Sequence, residues 1–350
     1  MAMTHRLLEA LEVFSNALGV SGNEGEVRET IASRIRPHVD VLETDALGNV
    51  IAKKKGPKDS PRLVLSAHMD EVGFLVTHIE KSGFLRFAKA GGIDDRVILA
   101  KSVLVGPKRI PGVIGTKPIH LIFQKEGHKK VAKAEDLYID IGAKDREDAR
   151  RLVEIGDFAA FATRFQDLGN GFVKGKALDD RLGCTLLALL LEEDLPLILT
   201  AVFSTQEEVG LRGAAVAGFR TSPQIMLALE GTFAGDFPEE RDVSRAAVIG
   251  RGPVLTHQDR SMIGDPLLLE TLIAAAEKEG IPYQFKRPLL GGTDAGRMHL
   301  SRSGARASVI AVPARYIHAP VALVKIEDVV NTYRLAKAAI QAIADKDWPS

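Results

Sequence analysis

The sequence predicts an α/β protein: a mixed sheet with helices on both faces, interrupted by an inserted β domain, a small β-barrel or sandwich. Three observations carry that prediction. Apolar strand-like runs alternate with helical stretches towards both ends of the chain. Several of those runs end abruptly on histidines or carboxylates, as strands of an open sheet do where they meet a ligand. Between them, from Val72 to about Phe165, helical periodicity gives way to short β-branched runs and glycine turns.

Taken in order, Thr4 to Leu18 sets Leu7, Leu8, Leu11, Phe14, Ala17 and Leu18 at helical spacing, so one face packs on the sheet. Val20-Ser-Gly-Asn-Glu-Gly reads as a turn, with Ser21 or Asn23 capping a second helix that runs to Arg36 and stops at Pro37. Val39 to Lys54 reads as a hairpin, and Arg62 to Ala67 as the first strand carrying a candidate ligand. The next block contains Gly73-Phe-Leu-Val-Thr, Gly83-Phe-Leu-Arg-Phe, Ser102-Val-Leu-Val-Gly, Gly112-Val-Ile-Gly and Leu137-Tyr-Ile-Asp-Ile. Only Asp145 to Glu154 in it is helical. Such texture predicts a small barrel or sandwich serving assembly and substrate access rather than chemistry. Its His78, His120 and His128 read as surface or core histidines, though His120 could reach a neighbouring site.

Strand–helix alternation resumes after Lys176. A helix is expected from Asp179 to Glu193, strands over Leu195 to Phe203 and Ile225 to Glu230, and a helix from Asp265 to Glu279. A glycine-rich loop from Leu289 to Arg297 runs into a helix, a strand starts at Ala307, and a closing helix lies within Val321 to Asp345. Residues 1–70 and 166–350 thus read as one discontinuous α/β domain, and 71–165 as an insertion.

Composition narrows the function classes. Lys+Arg and Asp+Glu both number 46 in 350 residues, so no net field favours nucleic acid or an anionic membrane. The basic run at Lys53-Lys-Lys-Gly-Pro-Lys is short and reads as a solvated loop. No apolar run approaches the ~20 residues that span a bilayer. Glu9 and Glu12 interrupt the first segment where a signal peptide would be apolar. The single cysteine, Cys184, sits in an apolar run and reads as a buried small hydrophobe. A cytoplasmic setting is the expectation. The glycine-rich loop could hold an anion or a carbonyl through its N–H groups, but it lacks the Lys-Ser/Thr of a nucleotide-binding loop.

The strand-end residues are the candidates for chemistry. Leu63-Val-Leu-Ser-Ala-His-Met-Asp70 ends on His68 and Asp70; Thr200-Ala-Val-Phe-Ser-Thr-Gln-Glu-Glu208 ends on Glu207 and Glu208. Ile225-Met-Leu-Ala-Leu-Glu230 ends on Glu230, the strand run from Ala307 ends on His318, and Lys176-Ala-Leu-Asp-Asp-Arg181 offers Asp179 and Asp180. Adjacent carboxylates repel unless a cation lies beside them. Two histidines with several carboxylates form the nitrogen and oxygen set that borderline divalent ions such as zinc or cobalt take. Two ions about 3.5–4 Å apart need one shared carboxylate, and short Asp179 at a helix start suits that place. His68 with Glu230 would complete one ion, and His318 with Glu208 the other. Asp70 can hold the His68 tautomer, and Glu207 is left to move a proton.

These segments resemble a known family. Ser66-Ala-His-Met-Asp-Glu-Val-Gly-Phe74, Lys176-Ala-Leu-Asp-Asp-Arg181, Ser204-Thr-Gln-Glu-Glu-Val-Gly-Leu-Arg-Gly213, Gly291-Gly-Thr-Asp-Ala-Gly296 and Tyr316-Ile-His-Ala-Pro320 are similar to the tetrahedral (TET) aminopeptidases. These are the glutamyl and deblocking aminopeptidase family of co-catalytic metallopeptidases. The likeness extends through Gly112-Val-Ile-Gly-Thr-Lys-Pro and Leu137-Tyr-Ile-Asp-Ile-Gly-Ala. It implies a PDZ-like inserted domain used for dimerisation, assembly into hollow dodecamers, and trimming of short peptides from the amino end. It carries metal ligation of two divalent ions (zinc, cobalt or manganese) to His68, Asp179, Glu208, Glu230 and His318, base catalysis to Glu207, and support to Asp70.

One departure stands out: the position of Glu230 is commonly Asp in that family. In related co-catalytic folds, Asp versus Glu there tends to separate aminopeptidases from carboxypeptidases and deacylases. A carboxypeptidase or N-acyl-amino-acid amidohydrolase on the same metal pair is therefore the rival expectation. A glycosidase fits less well, because its carboxylates flank the bond from opposite sides, whereas Glu207 and Glu208 are neighbours. A catalytically silent assembly protein would be expected to have lost a ligand or the base, and this sequence keeps all of them.

Overall fold

The computed structural model describes residues 2–57, 60–121, 131–237, 246–287 and 290–348, so His128 and Leu289 lie outside the described residues. Helices α1 (Ala2–Asn16) and α2 (Gly25–Ile35) open the chain, followed by the antiparallel hairpin of β1 (Val41–Thr44) and β2 (Val50–Lys54), then β3 (Leu63–His68). Strands β4 (Gly73–Ile79), β5 (Leu85–Ala90), β6 (Ser102–Val105), β7 (Ile110–Gly115), β8 (Tyr138–Asp140) and β9 (Phe158–Phe161) close into a barrel, with α3 (Arg146–Leu152) before the last of them. β10 (Gln166–Gly169) and β11 (Phe172–Gly175) lead into α4 (Leu178–Leu191), β12 (Leu199–Ser204), α5 (Arg212–Thr221) and β13 (Ile225–Phe233). Then come β14 (Val254–Leu255), α6 (Pro266–Lys278), β15 (Gln284–Phe285), α7 (Ala295–Met298), β16 (Arg306–Ala314), β17 (Ala322–Lys325) and α8 (Ile326–Ala344).

The main sheet runs β1-β2-β12-β3-β13-β16-β14-β15. Its four central strands, β12, β3, β13 and β16, are parallel, so their carboxyl ends share one edge. All six residues of β3 are buried, the pattern of a strand covered on both faces. Alternation along it divides the core. Leu63, Leu65 and Ala67 face the side packed by α1, α2, α4, α6 and α8, while Val64 faces the side packed by α5 and α7. The barrel has its own core, centred on Phe74, whose ring meets those of Phe87 and Phe161 edge-on at 4.9 and 5.2 Å.

Some local expectations are corrected. Neither Ser21 nor Asn23 caps α2; its cap position is Glu24, with no side-chain cap bond, because the Ser21 hydroxyl is drawn 2.6 Å from Asp70 instead. β13 continues three residues beyond Glu230, since its partner β16 continues alongside it to Ala314. His318 is not at a strand end but four residues past β16, in a turn. His78 and His120 are exposed, and Cys184 is buried.

A three-stranded sheet, β10-β11-β17, is built of strands too short for their alternation to mark them in sequence. It matters for the site. Gly175 pairs with Ala322 in antiparallel register, so Asp179, four residues after one, and His318, four before the other, leave the same end of that sheet. Behind them lies a buried ionic cluster. Lys176 Nζ is 2.6 Å and Arg181 Nη2 3.5 Å from Glu71 Oε1, and Arg181 also donates to the carbonyls of Phe14, Ala17 and Met69. These bonds tie the tail of β3 and the end of α1 to the start of α4. Gly183 is required where α4 crosses β13, since a Cβ there would lie 2.2 Å from the Leu229 carbonyl oxygen.

Candidate metal centre

The carboxyl edge of the parallel strands, the start of α4 and the turn after β16 bring His68, Asp179, Glu208, Glu230 and His318 together. Asp179 stands between the imidazoles: Oδ1 is 3.3 Å from His68 Nε2, and Oδ2 is 3.5 Å from His318 Nε2. His318 Nε2 is also 3.3 Å from Glu208 Oε2, and His68 Nε2 is 3.7 Å from Glu230 Oε2. Glu207 Oε2 approaches His68 Nε2 at 3.9 Å. The His68 side chain is 2 % exposed and that of His318 41 %, so one imidazole is the floor of the site and the other its solvent-side wall.

Outer contacts fix these side chains. His68 Nδ1 is 3.1 Å from the carbonyl oxygen of Asp70 and 3.5 Å from its Oδ1, so the backbone carbonyl is the nearer acceptor. The Asp70 carboxylate accepts the backbone N–H groups of Glu207 at 2.9 Å and Glu208 at 3.2 Å, and the Ser21 hydroxyl. His318 Nδ1 is 3.1 Å from the Gly92 carbonyl oxygen of the barrel-side chain. Ala177, Gln206, Leu211, Tyr316 and His318 all take positive φ, left-handed backbone uncommon outside glycine, and all flank the site.

Electrostatics follow from crowding. Burial, with Glu208 and other carboxylates nearby, pushes Glu207 well above the usual carboxylate range; Glu230 is pushed up by burial and Asp180. Burial raises Glu208 to about 7. Burial would lower both histidines, but the facing carboxylates overcome it: His68 is held well above its ordinary range, and His318 is raised to about 9. Asp179 is held low despite burial, because both imidazoles face it.

The donor set fits divalent cations. Donor atoms of His68, Asp179 and Glu208 lie within 4.8 Å of one another, as do those of His68, Asp180 and Glu230. Glu230 Oε1 is buried without a hydrogen-bond partner, an orphan a cation would satisfy. Asp180 adds a carboxylate to the second group. It follows Asp179 across a cis peptide bond, and its Oδ2 accepts the His68 backbone N–H at 3.2 Å.

A cavity of about 430 Å³ opens over His68, Asp179, Glu207, Glu208, Glu230 and His318. Its far wall holds the glycine-rich loop at Gly291, Gly292 and Thr293, and two cations, Arg260 and Lys286. Three other arginines of the same domain stay out of this space: Arg251 and Arg297 are exposed, and Arg315 is held by Asp236 at 2.6 Å. Nothing in their sequence surroundings marked Arg260 and Lys286. Asp294 was also missed. It sits in the glycine-rich motif but turns inward to Ser66 and Ser204 on two distant strands.

Residues 48–335 match the family model described as M42 glutamyl aminopeptidase. The chain belongs to that family. A putative aminopeptidase of Acetivibrio thermocellus is 37 % identical over 341 residues, covering 95 % of this chain and 98 % of the relative. The crystal structure of a TET aminopeptidase from Thaumarchaeota archaeon SCGC AB-539-E09 superposes with a TM-score of 0.92 at 35 % identity, covering 97 % of this chain and 98 % of that one. The Pyrococcus horikoshii TET1 peptidase, described as able to assemble into a tetrahedron or a large octahedral shell, matches with a TM-score of 0.84 at 34 % identity, covering 95 % and 98 %. This M42-family chain is thus a hydrolase of the aminopeptidase group, with a mixed sheet and a closed barrel like its structural relatives.

Proposed function

We propose that this M42-family chain is a two-metal aminopeptidase that removes the first residue of short peptides. The observation that carries the reading is Asp179, whose two carboxylate oxygens each face a different histidine at the mouth of one cavity. His68 with Glu230 would hold one ion and His318 with Glu208 the other, with Asp179 shared; zinc, cobalt or manganese suits such donors. Bound there, the ions would polarise the scissile carbonyl and make water a nucleophile near neutral pH. Glu207, bound to neither ion, takes the proton from the attacking water and delivers it to the leaving amine. Its burial supports this work, since a raised pKa brings a carboxylate towards the operating pH. Asp70 positions both glutamates through their backbone N–H groups.

The α/β domain, residues 1–70 and 166–350, carries the chemistry, and the inserted domain, 71–165, serves dimerisation and assembly. Self-assembly into a shell is supported by the behaviour stated for the Pyrococcus horikoshii relative. No described helix is long and apolar enough to cross a membrane, and we place the enzyme in the cytoplasm.

Glu230, where Asp is common, and the cations Arg260 and Lys286 in the cavity wall keep a carboxypeptidase or N-acyl amidohydrolase as the second reading. A dipeptide with a free amine, compared with its N-acetylated counterpart, separates them. The aminopeptidase cleaves the first and spares the second. Cleavage of only the acetylated peptide would replace this reading with the rival.

A further inference from the structure

The glycine-rich loop ends in a residue whose contacts do not match its place in the chain. Asp294 precedes α7, where an aspartate ordinarily caps the first N–H groups, yet it makes no cap bond. Its side chain is fully buried and turned towards the sheet. There Oδ2 accepts two hydroxyl hydrogen bonds, from Ser204 at 2.5 Å and from Ser66. Ser66 lies on β3 two residues before His68, and Ser204 closes β12 three residues before Glu207. Those strands are parallel neighbours, with Ser204 opposite His68. On its other side the loop is tied to the segment before α6: the Arg260 N–H donates to the Gly291 carbonyl at 3.0 Å, and the Thr293 N–H to Ser261 Oγ at 3.3 Å. Among the described residues, the side-chain hydrogen bonds between the loop and the strands that carry the proposed ligands and base are those of Asp294; Ala295 and Met298 add only apolar packing.

We infer that Asp294 is a positioning residue, clamping the glycine-rich wall of the cavity in register with the strand ends so that a bound peptide meets the reacting groups. The inference rests on the aminopeptidase reading for its link to substrate. Its geometry makes a sharp distinction between two substitutions. Both serines donate to one oxygen, and Oδ1 has no partner. Asp294→Asn therefore keeps the accepting oxygen, whereas Asp294→Ala removes the clamp.

The test measures KM and kcat with an aminoacyl reporter, together with hydrogen exchange of the loop backbone at residues 290–298. For Asp294→Ala we expect KM to rise about tenfold with kcat changed much less, and loop exchange to accelerate. Asp294→Asn keeps the acceptor but buries an NH2 without a partner, so it should lie between wild type and alanine in both. A residue that only supports folding would lower the active fraction, and so kcat, without moving KM. If Asp294→Ala does not fold, the double variant Ser66→Ala/Ser204→Ala removes the same bonds from the other side and should show the same rise in KM and in exchange. The clamp is overturned if the alanine or double-serine variant keeps wild-type KM and loop exchange, or if asparagine is as damaging as alanine. Wild type inactive on every peptide would remove the aminopeptidase reading, while loop exchange would still decide the clamp.

Discussion

Asp70 Oδ1 accepts the backbone N–H of Glu207 at 2.9 Å, joining the end of β3 to the end of β12 across 137 residues of sequence. The other oxygen of the same side chain accepts the Glu208 N–H at 3.2 Å, so the proposed base and a proposed ligand are held by one carboxylate. Glu207 therefore has a fixed position that does not depend on its own ionisation. Glu207→Gln should retain its metal and its fold but lose turnover by about 10²–10⁴-fold, the range for a general base. Metal analysis and single-turnover kinetics check this. A fully active variant would show that another group moves the proton.

The crowded carboxylates set a pH dependence for the chelator-treated chain. Glu208 rises from 4.5 to about 7 through burial, so between those values the folded state holds a proton the unfolded state has lost. His318, raised from 6.5 to about 9 by Asp179 and Glu208 against the pull of burial, has the same sign over the next interval. Both contributions are present at the acid end of their windows and are lost as pH rises. Thermal unfolding of chelated protein should therefore shift down steadily from about pH 5 to pH 9, and a divalent ion should reverse the shift most at the alkaline end. A flat profile for chelated protein would contradict the electrostatic account.

Arg260 and Lys286 line the cavity, and among the described residues neither has a carboxylate partner. A substrate with an acidic first residue would supply one. Alanine at both positions should lower kcat/KM for glutamyl reporters by about tenfold and leave leucyl reporters within about twofold. Equal losses on both reporters would mean that these side chains shape the cavity rather than read charge.

Glu71 compensates two buried cations, Lys176 and Arg181. Burial lowers Lys176 to about 8 even with that partner. Glu71→Ala leaves both charges without a counter-ion, and urea unfolding should report a loss of about 3–5 kcal/mol. A loss below about 1 kcal/mol would show that the cluster relaxes or admits water.

The main sheet and the barrel were legible because their signals are local. Continuous apolar runs such as Leu63 to Ala67 mark buried strands, and the glycine-punctuated run from Gly73 marks the barrel. His68, Glu208 and Glu230 could be picked out as candidates because each stands at or near the end of such a run, and Asp179 because it opens a helix. What escaped is relational. The four-residue pairing of β11 with β17 brings Asp179 and His318 out together, and no period in either segment announces it. Asp294 turns to the serines of two strands far from it in sequence, and nothing in its own segment announces those partners. Arg260 and Lys286 reach the cavity from loops that leave no pattern in sequence. The capping of α2 failed for the same reason, since a tertiary partner, Asp70, outcompetes the local one for Ser21.

The proposal that Asp179 is shared by two ions is tested most directly by metal stoichiometry. Chelated wild type, reconstituted with zinc or cobalt and measured by inductively coupled plasma mass spectrometry, should bind two ions per chain and regain peptide cleavage as the second is taken up. Asp179→Ala should hold fewer than two and stay inactive. Two ions and wild-type turnover in Asp179→Ala, or undiminished cleavage by chelated wild type, would contradict it.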